Sequence, residues 1–242
     1  MKRTLVMCEF HGANHTDNGR CPLCPQVVVP ALTEIQVSKP EVIKSIQNSD
    51  RDVLMAVLQL YKPVNNLGDI GFDLDPCFST GKFYEDVEWP ITKYDKTPTE
   101  NYNQVQQNDI LNGLPLNDKS VNSIVFDPPF MFGTHGQTKN NIMTKRFTMF
   151  DSWDELETMY KTSLREFYRV LRKGGIVAFK CQDYTDSQTT LTHCYVHNWA
   201  LEVGFKIEDL FIMAFKGGRV WNSNLKQKHA RKYHSYWIIL KK

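Results

Sequence analysis

Asp127-Pro128-Pro129-Phe130 follows directly on the apolar run Val121 to Phe126, so a carboxylate, a stiff backbone and an aromatic face meet at the end of a strand. Those groups suit an exocyclic amine on a heteroaromatic ring. Such an amine is a poor nucleophile because its lone pair is delocalised into the ring. Two acceptors for its N–H groups would localise that pair and aim it at an electrophile. The Asp127 carboxylate can be one acceptor and the Pro128 carbonyl the other. Consecutive prolines hold φ at about −65° and remove two donors that would compete for the carboxylate. Phe130 adds a ring on which a base can stack. The plain alternative is a proline-rich turn that closes a strand, and the elements around the tetrapeptide bear on the choice.

Strand and helix signals alternate after Gly68. Apolar runs at 72–75, 91–95, 105–110, 121–126, 175–180, 207–215 and 236–240 read as strands. This alternation predicts an α/β fold, a mostly parallel sheet covered by helices on both faces. Ligands of such folds bind beyond the carboxyl ends of the strands, where the tetrapeptide sits. The clearest helix signal spans Ser152 to Lys173. Ser152 and Glu155 form a capping box, Trp153, Leu156, Tyr160, Leu164, Phe167 and Leu171 recur at three- and four-residue steps, and Gly174 closes the end. Its aromatics read as packing. Earlier, Ser38-Lys39-Pro40-Glu41 is a helix-start signal. Asp50 opens a second helical stretch with Val53, Leu54, Val57, Leu58 and Tyr61 on one face, broken by Pro63 to Gly68.

With these residues the chain resembles the amino-group DNA methyltransferases, whose motif reads Asp/Asn/Ser-Pro-Pro-aromatic and whose methyl donor is S-adenosylmethionine. The resemblance implies the class I, Rossmann-like fold: a mostly parallel seven-stranded sheet with an antiparallel edge hairpin, here 207–215 with 236–240. It also implies a cofactor loop of the pattern Asp-Pro-Phe-x-Gly-Ser-Gly. Asp75, Pro76 and Gly81 match that loop, while Cys77 replaces its aromatic and Ser79 its first glycine. A less tight loop and weaker cofactor affinity are therefore expected. Asp95 resembles the acid that takes both ribose hydroxyls, and Asp109 the acid that accepts from the cofactor's adenine amine; each alone is also an ordinary strand-end turn residue. The activity implied is methyl transfer to a flipped-out base of double-stranded DNA. Aspartate as the first motif residue favours adenine N6 over cytosine N4. An RNA amine stays open, as does a non-catalytic, zinc-containing nucleic-acid-binding protein on the same fold, which the Ser79 departure permits.

Charge supports a polyanionic partner. The net charge of +2 conceals a segment, Lys216 to Lys242, with eight basic residues and no acidic one, set against an acidic remainder. Lys226, Lys228, His229, Arg231 and Lys232 are the nucleic-acid candidates there. Lys145 and Arg146 are the candidates in the loop 131–150, which has no apolar period and reads as a closing loop or a surface insertion. At the N-terminus, Cys8-x-x-His11 and Cys21-x-x-Cys24 have the paired spacing of a structural, four-ligand zinc site, with His15 an alternative to His11. The expected organisation is a zinc knuckle at 1–30, a helical lead-in at 31–68 and the methyltransferase domain at 69–242. No apolar run approaches membrane-spanning length, and the cysteine usage suits a reducing compartment. A cytoplasmic protein of bacterial or phage origin is expected, with a role such as restriction–modification; oligomeric state is not legible.

Overall fold

The computed structural model describes residues 6–7, 14–15, 42–98, 104–132, 150–185, 188–215, 229–230 and 232–242. The chain divides into two compact units, Met1–Val42 and Ile43–Lys242. In the first, strands β1 (Val6–Met7) and β2 (Asn14–His15) pair antiparallel, with Val6 opposite His15. The metal candidates Cys8, His11, Cys21 and Cys24 lie outside the described residues.

The second unit is built on one eight-stranded sheet. Its strands are β3 (Ile46–Gln47), β4 (Leu74–Asp75), β5 (Thr92–Asp95), β6 (Gln106–Gln107), β7 (Val121–Phe126), β8 (Leu171–Cys181), β11 (Lys206–Ala214) and β12 (His234–Lys241). A separate small hairpin pairs β9 (Tyr184–Thr185) with β10 (Thr189–Thr190). The order across the sheet is β3-β11-β12-β8-β7-β4-β5-β6. Strands β6, β5, β4, β7 and β8 run parallel, and β12 is antiparallel to both β8 and β11. Leaving β3 aside, this is the Rossmann-like class I methyltransferase arrangement. The seven strands expected are eight, because β3 adds itself parallel to β11 with Ile46 opposite Ile212. The antiparallel pair is therefore not at the edge: a two-residue strand, too short to leave an apolar signal, covers it.

Period-two alternation places the core. Ile124 and Phe126 of β7, Val177 and Phe179 of β8, and Ile238 and Leu240 of β12 share a cluster with helices α2 (Trp153–Val170) and α3 (Thr192–Val203). Val125, Ala178, Trp237 and Ile239, the intervening residues, pack with α1 (Asp50–Tyr61) on the other face. The helix-start signal Ser38 to Glu41 lies outside the described residues, and 42–49 after it hold β3 and no helix; the helices expected from Asp50 and from Ser152 both start behind a serine cap. Ser49 Oγ accepts from Asp52 N at 3.1 Å, and Ser152 Oγ accepts from Glu155 N at 3.3 Å while Glu155 takes the Asp151 N–H at 2.9 Å.

The end of α2 differs from expectation. It stops at Val170, and Leu171 already belongs to β8, opposite Val121. Gly174, at φ +83°, and Gly175 serve a bulge in β8 instead of capping a helix. A side chain at Gly175 would put its Cβ 2.8 Å from the Asn122 carbonyl. The strand expected at 105–110 shrinks to β6, because Asp109 turns the chain into a 3-10 turn, Ile110–Asn112.

Candidate active site

Every carboxylate singled out in the motif domain lies at the carboxyl end of the parallel strands. Asp75 ends β4, Asp95 ends β5, Asp109 follows β6 and Asp127 follows β7. Leu74 is opposite Ile124, so the Asp75 loop and the Asp127 tetrapeptide leave adjacent strands side by side. Cys77 marks their meeting point. Burial pushes its thiol well above the ordinary range, and the charges of Asp75, Asp95, Asp127 and Asp109 all add to the rise. The four carboxylates therefore lie at neighbouring strand ends along one edge of the sheet.

Asp75 is fully buried. The Tyr84 hydroxyl donates to its Oδ2 at 2.8 Å and the Cys77 N–H to its Oδ1 at 2.9 Å. Burial nevertheless dominates those two bonds and, with the charges of Asp127 and Asp95, lifts the carboxyl to about 7. In the loop that follows, Ser79 stands in the left-handed region at φ +51°, the conformation a glycine adopts freely, so a serine there costs strain. Gly81 is required twice over: φ is +61°, and a Cβ there would lie 2.4 Å from the Phe78 ring.

Asp95 accepts from Ser79 N and Thr97 N, both at 2.8 Å, tying the cofactor-type loop to β5. Each oxygen retains a lone pair for a further donor. Asp109 caps its 3-10 turn through Leu111 N and pairs with Lys96 at 2.9 Å. Burial opposes its ionisation, but the bonds from Lys96 and Leu111 prevail and hold the carboxyl below its ordinary range.

The tetrapeptide is braced from below. Tyr160 of α2 donates its hydroxyl to the Pro129 carbonyl at 3.0 Å, so one aromatic of the packing face also fixes the motif backbone. The Pro128 carbonyl has no hydrogen-bond partner among the described residues, and Phe130 is half-buried. Asp127 Oδ2 is 3.1 Å from the Lys180 ammonium, which also reaches Asp50 Oδ2 at 2.9 Å. Trp237 Nε1 donates to the other oxygen of Asp50 at 2.9 Å. Burial holds the Asp127 carboxyl above its ordinary range; Lys180 works against that and Asp50 with it. Sequence reasoning assigned no role to Lys180, Asp50 or Trp237. The one available signal was a lone lysine at the end of the apolar run 176–181.

A second polar group lies just past β8. Asp183 Oδ1 is 2.7 Å from His193 Nδ1, the His193 ring stacks on Tyr236 at 4.1 Å, and Cys194 Sγ is 3.3 Å from His193 Nε2. Of the nucleic-acid candidates, only His229 and Lys232 are described, the first exposed and the second half-buried; Lys145, Arg146, Lys226, Lys228 and Arg231 lie outside the described residues. Phe132 and Phe150 form a bridge, and the Phe150 N–H donates to the Met131 carbonyl at 3.0 Å, so residues 131–132 and 150 sit together just past the tetrapeptide. No described helix is long and apolar enough to cross a membrane.

No family model and no curated protein sequence matches the chain. Similar solved structures include a protein from Thermus thermophilus, provisionally named a DNA modification methylase and solved with S-adenosyl-L-methionine. It is 16% identical over 55% of this chain and 51% of that one, at TM-score 0.38. TrmN from Thermus thermophilus is 16% identical over 79% and 48%, at TM-score 0.45. A SAM-dependent methyltransferase from Archaeoglobus fulgidus is 15% identical over 79% and 94%, at TM-score 0.43. The chain spans about half the length of the two Thermus proteins. Likeness at this level concerns the fold alone.

Proposed function

We propose that this chain transfers a methyl group from S-adenosylmethionine to the exocyclic amine of a nucleobase in nucleic acid, with adenine N6 of DNA the favoured target. The observation that carries the reading is the placement of Asp75, Asp95, Asp109 and Asp127 at the carboxyl ends of four neighbouring strands, β4, β5, β6 and β7. A donor bearing a sulfonium and an ammonium suits a row of carboxylates, and the lone pairs left on Asp95 suit two neighbouring hydroxyls. Asp75, Asp95, Asp109 and the loop from Pro76 through Ser79 to Gly81 would hold that donor. When bound, it would supply an electrophilic methyl carbon and take back the S–C electron pair as a neutral thioether.

The chain's own residues prepare the nucleophile. Asp127 Oδ1, which has no partner among the described residues, and the Pro128 carbonyl accept the two amine N–H groups and localise the lone pair. Phe130 stacks on the base. Tyr160 keeps the prolines in register through the Pro129 carbonyl. Nitrogen becomes strongly acidic once it carries the new carbon, and it releases a proton to Asp127 or to water without a stronger base. Lys226, Lys228, His229, Arg231 and Lys232, with Lys145 and Arg146, would contact phosphates, a term that weakens steeply with salt. Cys8, His11, Cys21 and Cys24 would hold one structural zinc, removed by replacing Cys21 and Cys24 with serine and counted by elemental analysis.

The test is incubation with labelled S-adenosylmethionine and DNA or RNA, followed by digestion to nucleosides and mass spectrometry. N6-methyladenine is expected, with at least about a hundredfold loss for Asp127→Ala. Label in N4-methylcytosine or in RNA moves the substrate. An equal yield from Asp127→Ala removes the motif from the chemistry, and tight nucleic-acid binding with no transfer leaves the binding-protein reading.

A further inference from the structure

We propose that Lys180 is a positioning residue for the tetrapeptide: its ammonium, clamped between Asp50 and Asp127, holds the Asp127 carboxylate ionised and in one orientation as the acceptor for the substrate amine. The inference rests on the reading of Asp127 given above, and it adds a residue and a helix that the motif does not contain.

Four elements meet at this clamp. Lys180 comes from the end of β8, Asp127 from the end of β7, Asp50 from the first turn of α1 and Trp237 from β12. The lysine side chain is only 8% exposed, and its ammonium lies 5.4 Å from the centre of the Trp237 ring. Taking charges from water costs several kcal/mol per ion, so a cluster of this kind is poor value for stability alone. The division of bonds points further. Both oxygens of Asp50 are engaged, one by Lys180 and one by Trp237, which makes Asp50 an anchor for the lysine. Asp127 gives Lys180 one oxygen and keeps the other. The trio of two carboxylates and one ammonium retains one negative charge, sited on the residue that must accept an N–H.

Charge state is what the lysine controls. Asp127 faces Asp50 from α1, Asp75, Cys77 and Tyr84 from the cofactor-type loop, and Tyr160 from α2. Lys180 is the cation among them. Burial opposes the lysine's charge as well, yet Asp127 and Asp50 together hold its ammonium above the ordinary range, so it stays protonated and does not act as a base. Without it, burial and the charge of Asp50 would raise the Asp127 carboxyl further and favour its protonated form. A carboxylic acid presents an O–H where the amine needs an acceptor.

The experiment separates this role from the wider reading. The Asp127 carboxyl carbon is followed by NMR against pH in [13C]aspartate-labelled protein, for the wild type, Lys180→Met and Asp50→Asn; circular dichroism checks each fold. The Asp127 midpoint should move up in Lys180→Met, which removes the cation, and down in Asp50→Asn, which removes a competing anion. Should Lys180→Met not fold, the sign of the Asp50→Asn shift decides. An unmoved midpoint, or an upward one in Asp50→Asn, overturns the proposal whatever the activity. Methyl transfer is then measured across pH, where Lys180→Met should lower the rate at pH 6.5 by about tenfold or more and regain it at higher pH. A pH-independent loss would mark Lys180 as merely structural and overturn the proposal. NMR shifts as expected with no methyl transfer by the wild type would instead sink the functional reading while leaving the Lys180–Asp127 coupling in place.

Discussion

Asp75→Asn gives the sharpest test of the buried acid at the heart of the site. The carboxyl is raised from 3.8 to about 7 in the fold, which corresponds to ~4 kcal/mol against ionising it there. A carboxyl raised on folding keeps its proton in the native chain after the unfolded chain has lost it. Folding therefore takes up a proton between pH 4 and 7, and this group's contribution to stability declines as pH rises through that window. Below the window both states are protonated, and above it the penalty is constant. Asparagine fits the same place, accepting from Cys77 N and donating to the Tyr84 oxygen, but it cannot ionise. Urea unfolding from pH 4.5 to 8.5 should then find the two proteins within about 1 kcal/mol of each other at the acid end. At the alkaline end the variant should be the more stable by roughly 2–4 kcal/mol, after allowing for one weakened hydrogen bond. A gap that stays the same at every pH would refute the reasoning, because it would mean Asp75 ionises equally in both states. The same linkage bears on function: a cation placed beside Asp75 favours the ionised form, so affinity for a cationic ligand should climb through the same window.

Ser79→Gly should stabilise the chain by about 0.5–1 kcal/mol in urea by relieving the left-handed serine, whereas Gly81→Ala should destabilise it by about 2 kcal/mol or more against the Phe78 ring. Arg169 pairs with both oxygens of Glu166 and binds the Leu114 and Leu116 carbonyls and Asp118. Truncation to alanine should cost roughly 1–3 kcal/mol by thermal or urea unfolding, with lysine a poor rescue because it lacks the fork. Peptide mapping after brief iodoacetamide treatment should find Cys194 modified before Cys77 and Cys181, since it alone of the three is exposed; His193→Ala should slow that labelling.

Legibility in the sequence followed the range of the interaction. The parallel strands declare themselves by local apolar runs, and α2 by a cap and a period contained within 22 residues. The clamp does not. Lys180 lies 53 residues from Asp127 and 130 from Asp50, and Trp237 lies 187 from Asp50. No spacing rule links residues so far apart, and each looked ordinary alone: Asp50 as the first-turn acid of a helix, Lys180 as a strand terminus, Trp237 as core. Gly174 misled for another reason. A glycine after an amphipathic run serves a helix cap and a strand bulge equally well, and only the pairing of Leu171 with Val121 decides between them. Helix α3 escaped because its buried side, Thr192, Val196, Trp199 and Ala200, is interleaved with His193, His197 and Asn198.

Asp73 and Asp75 show how far residue type falls short of residue role. They sit two apart in one tripeptide and are both buried. Asp73 spends both oxygens on backbone, accepting from Asn66 N and Asn122 N at 2.6 Å each, and so joins the turn before β4 to the start of β7. That carboxylate is structural, a tie between two segments of the sheet. Asp75 is held by a phenol and one amide, is pushed up to about 7, and shares its surroundings with Asp127 and Asp95. Strand direction makes the difference. The carboxyl end of β4 opens between β5 and β7, beside Asp95 and Asp127, and there Asp75 has one backbone donor where Asp73 has two. A buried carboxylate with few donors is costly to ionise, and a cation placed beside it would offset that cost.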